Sequence, residues 1–493
     1  MLPRLFGVRA MQGFLGMDGV KFGALAAAFL FIVAVEWVWL SVLCVIRSAL
    51  KPSASDCLRQ MTAAHDPHTG KETKMFDQMT LPNGLRIVGE KLTHVRSCTV
   101  GVWVKVGSMN ERPEENGLSH FIEHMVFKGT ASRTARDIAE EMDDVGGQLN
   151  AFTSKDCTCF YAKVIDEDLK LAVDILSDLA LRPRFDDAEL QKERGVVLEE
   201  IAMVEDTPED LVHDILCEAQ FEGSLQRPIL GSAELIRQYT QDDLLRYWRR
   251  HYHAKNMVVA IAGNYDWDAF LALVNTYFKD FPNEEPPVAI VEIQTLLSGR
   301  KAREKDTEQL QISIGYPGVG LGSDEVYALS VFNNAIGGGM SSRLFQRIRE
   351  ELGMAYSVYT FPTSYPGCGT FTIYAGTSPE NGEVVIREIE LELKKTLREG
   401  LTEKEFKSAK AQLKGGYLLG LESSSGRMQS IGRSTLLLDR LITPEETLAK
   451  IEAVTMEDVL KIARCALDAK PSAAIVGKNA KKYLDQIGGA SRG

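Results

Sequence analysis

The sequence predicts an α+β fold present twice: two homologous domains, each a mostly antiparallel sheet packed against helices. Three observations lead there. From Met75 onward, runs of alternating apolar residues are interleaved with runs whose apolar residues recur every three or four positions, the order expected when helices cover a sheet. A chain of 493 residues exceeds what one core usually supports. The second half also repeats the first. Thr240-Gln241-Asp242-Asp243-Leu244-Leu245 matches Thr455-Met456-Glu457-Asp458-Val459-Leu460, Ala254-Lys255 matches Ala469-Lys470, and Ala260-Ile261-Ala262-Gly263 matches Ala474-Ile475-Val476-Gly477.

Taken in order, residues 1–70 form an extension unlike the rest. The run 22–46 is apolar apart from residues such as Glu36 and Ser41, and is long enough to cross a bilayer. It is too long for a signal-peptide core, and no small-residue cleavage site follows. Two readings stand. One is a membrane anchor, carrying a cost of about 2.5 to 3.5 kcal/mol for Glu36 and an undecided orientation, because Arg4, Arg9 and Lys21 precede the run and Arg47, Lys51 and Arg59 follow it. The other is a true start near Met75.

The first domain spans 75–280. Asn83-Gly84 marks a turn, Leu85 to Gly89 a short strand, and Cys98 to Val106 a longer one. A polar loop from Gly107 to Asn116 leads into a helix whose apolar residues are Leu118, Phe121, Ile122 and Met125. Thr134 to Val145 reads as a second helix, ended by Gly146-Gly147. Strands follow at Gln148 to Thr153 and Thr158 to Ile165, then a helical stretch around Leu169 to Leu179 and an acidic helix from Asp187 to about Glu205. The proline-rich, acidic segment Phe281-Pro282-Asn283-Glu284-Glu285-Pro286-Pro287 opens a linker placed at 281–305, and the second domain occupies 306–493.

The chemistry concentrates in the helix Leu118-Ser119-His120-Phe121-Ile122-Glu123-His124-Met125. Positions 120, 123 and 124 share the face opposite the apolar stripe. Two neutral imidazoles one turn apart can bind Zn²⁺, while the carboxylate between them stays off the metal and close to the water it activates. This is the inverted His-x-x-Glu-His arrangement. Such a site needs a third, preferably anionic ligand. Glu200, on the acidic helix, is the choice. Glu193, two turns earlier on the same face, is expected to orient a ligand or the base, and Glu199 is the competitor. An acidic helix is more often plain solvated surface, but the duplication argues otherwise. Placing Leu118-Ser119-His120-Phe121 over Leu329-Ser330-Val331-Phe332 sets His120, Glu123 and His124 against Val331, Asn334 and Ala335. Placing Glu189-Leu190 over Glu405-Phe406 sets Glu193 against Ala409 and Glu200 against Gly416. All five polar site residues change together while neighbouring apolar positions persist.

The bulk numbers exclude some classes. A formal net charge of −12 argues against nucleic acid as a partner. Eight scattered cysteines without a Cys-x-x-Cys pair read as reduced thiols, which implies a cytoplasmic body whether or not the N-terminal segment anchors it. Cys157 and Cys159, two apart in a strand, share one face. The run Gly337 to Gly339 lacks the Gly-Lys-Ser/Thr ending of a phosphate loop and reads as a turn entering a helix.

His120-Phe121-Ile122-Glu123-His124 with Glu200 resembles the pitrilysin, insulin-degrading enzyme and mitochondrial processing peptidase superfamily of zinc metallopeptidases, from about Met75 to the C-terminus. In length that stretch is similar to the bacterial relatives of the processing peptidase. Gly146-Gly147-Gln148-Leu149-Asn150-Ala151-Phe152-Thr153 is similar to the family's edge strand beside the zinc, and Gly337-Gly338-Gly339-Met340-Ser341-Ser342-Arg343-Leu344-Phe345 to its second-domain signature. The resemblance implies a zinc endopeptidase acting on short or unfolded peptides. Zinc on His120, His124 and Glu200 would polarise the scissile carbonyl and activate water, with Glu123 as general base. It implies that substrate adds as a strand at Asn150 and Ala151, that Arg349 and Tyr356 of the second domain contact substrate carbonyls (Arg347 being the alternative arginine), and that a second subunit, identical or not, completes a clamshell of which this chain is half. The superfamily also contains non-catalytic partner subunits, the competing class. Gly223-Ser224-Leu225-Gln226-Arg227-Pro228-Ile229 departs from the His-Pro-Leu-Gly lead of the relatives, which leaves substrate preference open.

Overall fold

The computed structural model describes residues 76–283 and 295–487. The chain divides into two units, Met1–Lys74 and Met75–Gly493. The first unit lies outside the described residues, and the apolar run 22–46 with it. Among the described residues no helix is long and apolar enough to cross a membrane.

The first domain runs β1 (Phe76–Thr80), β2 (Arg86–Lys91), β3 (Ser97–Val104), α1 (Leu118–Val126), α2 (Ala135–Asp144), β4 (Gln148–Thr153), β5 (Thr158–Ile165), α3 (Leu169–Leu181), α4 (Asp187–Asp206), α5 (Pro208–Gln220), β6 (Phe221–Glu222), α6 (Ala233–Gln238), α7 (Gln241–His251), β7 (Met257–Gly263) and α8 (Trp267–Phe278). The second runs β8 (Thr295–Leu296), β9 (Arg300–Glu304), β10 (Leu310–Pro317), α9 (Glu325–Ile336), β11 (Ala355–Tyr365), β12 (Cys368–Thr377), α10 (Gly382–Glu399), α11 (Glu403–Gly420), α12 (Ser424–Leu438), α13 (Pro444–Ala453), α14 (Met456–Leu467), β13 (Ser472–Gly477) and α15 (Ala480–Leu484).

Apart from β1, which has no counterpart in the second sheet, the two sheets have one topology. The first is ordered β1-β2-β7-β3-β5-β4 and the second β9-β13-β10-β12-β11. Each is antiparallel except for one parallel pair, β2 with β7 and β9 with β13. Local details repeat as well. Thr240 and Asp243 form a capping box on α7, and Thr455 and Asp458 form one on α14. Gly263 and Gly477, closing β7 and β13, both have positive φ, +130° and +138°. A side chain at Gly263 would collide with the Ser97 carbonyl.

One difference from the sequence reading concerns the stretch 281–305. It holds β8, which pairs with β6, and β9, which pairs in parallel with β13, so the second sheet begins before 306. β9 reads Arg-Lys-Ala-Arg-Glu and carries no apolar alternation, because it is an exposed edge held by main-chain bonds.

Each sheet is covered by its own helices on one face and by a helix of the other domain on the opposite face. α12 lies on the first sheet, where Met428, Ile431 and Leu436 pack against Val88, Trp103, Cys157, Cys159 and Val258. α5 lies on the second, where Leu211, Val212, Ile215 and Leu216 pack against Tyr374, Ala474 and Val476. Burial on both faces explains why β3 and β7 are nearly continuous apolar runs. Polar ties hold the same seam: Arg427 pairs with the buried Glu90, Arg433 with Asp156 at 2.7 Å, and Thr99 Oγ1 lies 2.9 Å from Ser424 Oγ. Cys157 and Cys159 do share a face, and all six cysteines among the described residues are free thiols.

Candidate metal centre

α1 is entered through Gly117, whose φ of +98° is left-handed. A Cβ there would sit 2.8 Å from the Leu230 carbonyl oxygen, so glycine is required both for the turn and for the close approach of the 223–231 loop. Phe121, Ile122, Met125 and Val126 are buried in the first core. Their burial fixes the roll of α1 and turns His120, Glu123 and His124 toward α4. From α4, Leu190, Glu193 and Val197 point inward, and Glu200 lies two turns beyond Glu193 on the same side.

His120 Nε2 and His124 Nε2 face the same oxygen, Glu200 Oε2, at 3.6 and 3.4 Å. One ligand atom from each residue lies within 4.8 Å of the others, the one such group of three or more His, Cys, Asp or Glu among the described residues. Glu193 Oε1 lies 2.9 Å from His124 Nδ1. That bond makes Nδ1 the protonated nitrogen and leaves the Nε2 lone pair directed at the gap. Lys128 Nζ, 2.7 Å from Glu193 Oε2, holds the carboxylate in turn. Glu199 is exposed and outside the group.

The electrostatics suit a cation. Burial and the neighbouring His124 push His120 down to about 4, so its ring is neutral near pH 7, the form a metal requires. Burial works to lower His124 as well, but the bond to Glu193 and the charges of Glu200, Glu193 and Glu123 outweigh it and leave it raised. Burial works to raise Glu193, yet His124 and Lys128 carry it below its ordinary value. Burial raises Glu123; the Thr153 hydroxyl and His124 oppose that shift and the charge of Glu200 reinforces it. Glu123 Oε2 is buried without a hydrogen-bond partner. Three convergent donors of the N,N,O type, a fixed tautomer and an unpartnered carboxylate oxygen beside them fit a zinc site with an open position.

The other expected residues fall in two places. β4 is the free edge of the first sheet, and its Ala151 N–H is capped by the Asn150 side chain at 2.8 Å. Arg349 and Tyr356 lie together in the second domain. The Arg349 guanidinium stacks over Phe345 and Tyr356, at 4.8 and 5.4 Å from the ring centroids. Tyr356, at the start of edge strand β11, is 75% exposed. Arg347 is engaged with Glu388 and Glu351, both at 2.9 Å, which favours Arg349 over it. The second copy is closed where the first is open: Asn334, standing for Glu123, donates at 3.2 Å to the carbonyl of Ala409, which stands for Glu193. Sequence reading missed Lys128, although its position one turn after His124 was a signal. It also missed Glu111, which carried none.

A duplicated α+β body with a His-x-x-Glu-His helix in one copy and a degenerate helix in the other defines the pitrilysin-like class of metallopeptidases. The family description "Insulinase (Peptidase family M16)" matches residues 86–233, and "Peptidase M16 inactive domain" matches 238–413. The chain belongs to peptidase family M16. The second match starts inside the first structural domain, whose sheet is completed by β7. An uncharacterized zinc protease of Bacillus subtilis (strain 168), YmxG, is 42% identical over 391 residues, 79% of this chain and 95% of that protein. An uncharacterized zinc protease of Streptomyces coelicolor is 40% identical over 417 residues, 83% of this chain and 91% of that protein. The crystal structure of a protease from Helicobacter pylori superposes with a TM-score of 0.77 at 21% identity, covering 82% of this chain and 99% of that one, which is a likeness of fold.

Proposed function

We propose that this protein is a zinc-dependent endopeptidase that hydrolyses peptide bonds in short or unfolded peptides. The observation that carries the reading is the convergence of His120 Nε2 and His124 Nε2 on Glu200 Oε2, with the unpartnered Oε2 of Glu123 beside them. Relatives about 40% identical that are named zinc proteases support it. His120, His124 and Glu200 would hold the ion, which when bound supplies Lewis acidity toward a peptide carbonyl and toward water. Glu193 and Lys128 keep His124 in its ligating tautomer. Glu123 takes a proton from the attacking water and returns it to the leaving amine; its burial raises its pKa toward the working range of such a base. The β4 edge receives the peptide main chain as an added strand, the Asn150 side chain giving up the Ala151 N–H as substrate arrives. Main-chain pairing makes little sequence demand and requires an extended segment, which selects short or unfolded peptides. On the same reading Arg349 and Tyr356 contact substrate from the second domain, and a second subunit completes the chamber.

The test is cleavage of an unstructured peptide by protein stripped with a chelator and reloaded. Activity lost on stripping and restored by zinc supports the reading, and activity that survives complete removal of metal refutes it.

A further inference from the structure

Glu111 lies in the loop before α1 and is 2% exposed. The carboxylate bonds to that loop and to the first turn of α1. Oε2 accepts from Gly117 N at 2.8 Å and from Asn116 Nδ2 at 3.0 Å; Oε1 accepts from Ser119 N at 2.8 Å. Burial pushes the Glu111 carboxyl above its ordinary value, and these N–H donors, with the Ser119 hydroxyl, oppose that shift. α1 has only nine residues, and Gly117 provides no side-chain cap, so Glu111 takes the place of one from outside the helix. The last amide it holds belongs to Ser119, the residue immediately before His120.

The loop segment that departs from the relatives' pattern holds Glu111 from behind. Arg227 Nη2 donates to the Glu111 carbonyl at 2.6 Å, and Asn116 Nδ2 to the Pro228 carbonyl at 2.9 Å. Lys155, two residues past the end of β4, donates to the Arg227 carbonyl. α7 and the segment before it brace the same turn: Tyr239 OH donates to the Asn116 carbonyl at 2.9 Å, Tyr247 OH lies 2.9 Å from Ser119 Oγ, and Arg250 pairs with Glu115 at 2.6 Å.

We propose that Glu111 is a positioning residue: by binding the first-turn amides of α1 it sets the direction of the helix that carries His120, Glu123 and His124. Resting on the endopeptidase reading, the inference extends to the residues 223–229, whose work is to lock Glu111 and, through Lys155, to join the α1 entrance to the substrate edge. A short helix gripped at its first turn transmits a small tilt to every side chain on its polar face. The geometry of the three site residues therefore depends on a group that touches neither metal nor substrate.

The variant is Glu111→Gln, which keeps the volume but turns an N–H₂ toward amide donors. In the metal-free protein, hydrogen exchange of peptides covering residues 111–126 should quicken while peptides from β3 and β7 keep parental protection. In the zinc-loaded protein, kcat should fall by roughly 10- to 100-fold with KM within about twofold of parent. Parental exchange at α1, an unchanged kcat, or a loss fully accounted for by unfolded protein would overturn the proposal. If Glu111→Gln does not fold, Arg227→Met carries the test, since it leaves the carboxylate but frees its backbone carbonyl. The same split at smaller amplitude supports positioning, and parental exchange and kcat overturn it. The exchange experiment needs no catalysis, so it decides the role of Glu111 even if the parent proves to have no zinc-dependent activity.

Discussion

Substituting Arg427→Met tests whether the two domains are joined as the seam implies. Glu90 on β2 is 1% exposed, and Arg427 on α12, itself largely buried, pairs with it while also donating to the Leu421 carbonyl at 2.6 Å. Removing the guanidinium strands a carboxylate between the first sheet and α12. Breaking a buried pair from one side costs about 3–5 kcal/mol, because the remaining charge keeps its desolvation penalty without compensation. The double variant Glu90→Gln/Arg427→Met removes that charge and should recover most of the loss. The penalty has a pH signature. Burial already raises Glu90 above its ordinary value, with Arg427 the chief opposing influence, so in Arg427→Met the folded pKa rises further. A carboxylate whose folded pKa is raised contributes stability that is fully present below its unfolded pKa and is lost as pH rises through the folded pKa. The gap between parent and variant should therefore be wide near about pH 8 and narrow toward about pH 5. Urea unfolding followed by tryptophan fluorescence suits the purpose, since Trp103 is buried in the same seam with its Nε1 3.3 Å from Met428 Sδ. A loss below about 1 kcal/mol, or one independent of pH, would refute the reasoning.

Three further outcomes follow. Glu200→Ala should abolish tight zinc binding while Glu199→Ala keeps it, as read by competition with a chromophoric chelator; the reverse would move the ligand assignment. Glu193→Gln removes the acceptor that fixes the His124 tautomer and should weaken zinc binding by about 10- to 100-fold, with the fold intact by circular dichroism; an unchanged affinity would show that Glu193 serves Lys128 alone. Burial holds His251 neutral, with the charge of Arg250 and the neighbouring His253 reinforcing the shift, so its pKa falls to about 3. For a folded pKa below the unfolded one, the stability is present above about pH 6.5 and is lost as pH falls toward about 3, by up to about 1.4 kcal/mol per pH unit. His251→Gln should flatten that limb of the acid-unfolding profile.

Where the candidate site is written in closely spaced residues, the sequence was legible. His120, Glu123 and His124 occupy one helix, and Glu200 could be chosen because a two-histidine zinc site needs a third, preferably anionic ligand and the second copy loses both sets together. The duplication was visible in short matches, and the structure extends it to strand order and to the positive-φ glycines 263 and 477. β9 was hidden because an edge strand held by main-chain bonds needs no apolar face. The crossed-over placement of α5 and α12 was hidden because an amphipathic stripe reports that a helix is buried, not against which sheet. Glu111 was hidden because a carboxylate that binds backbone amides depends on a turn, which no spacing of side chains encodes.

Glu123→Gln compared with the parent, both loaded with zinc and given a mixed peptide pool analysed by mass spectrometry, tests whether Glu123 is the general base of a zinc endopeptidase. The expected outcome is about one zinc bound per chain in each protein, internal cleavage of peptides by the parent that a chelator abolishes, and no cleavage above background by the variant. Cleavage by Glu123→Gln at the parental rate would contradict it.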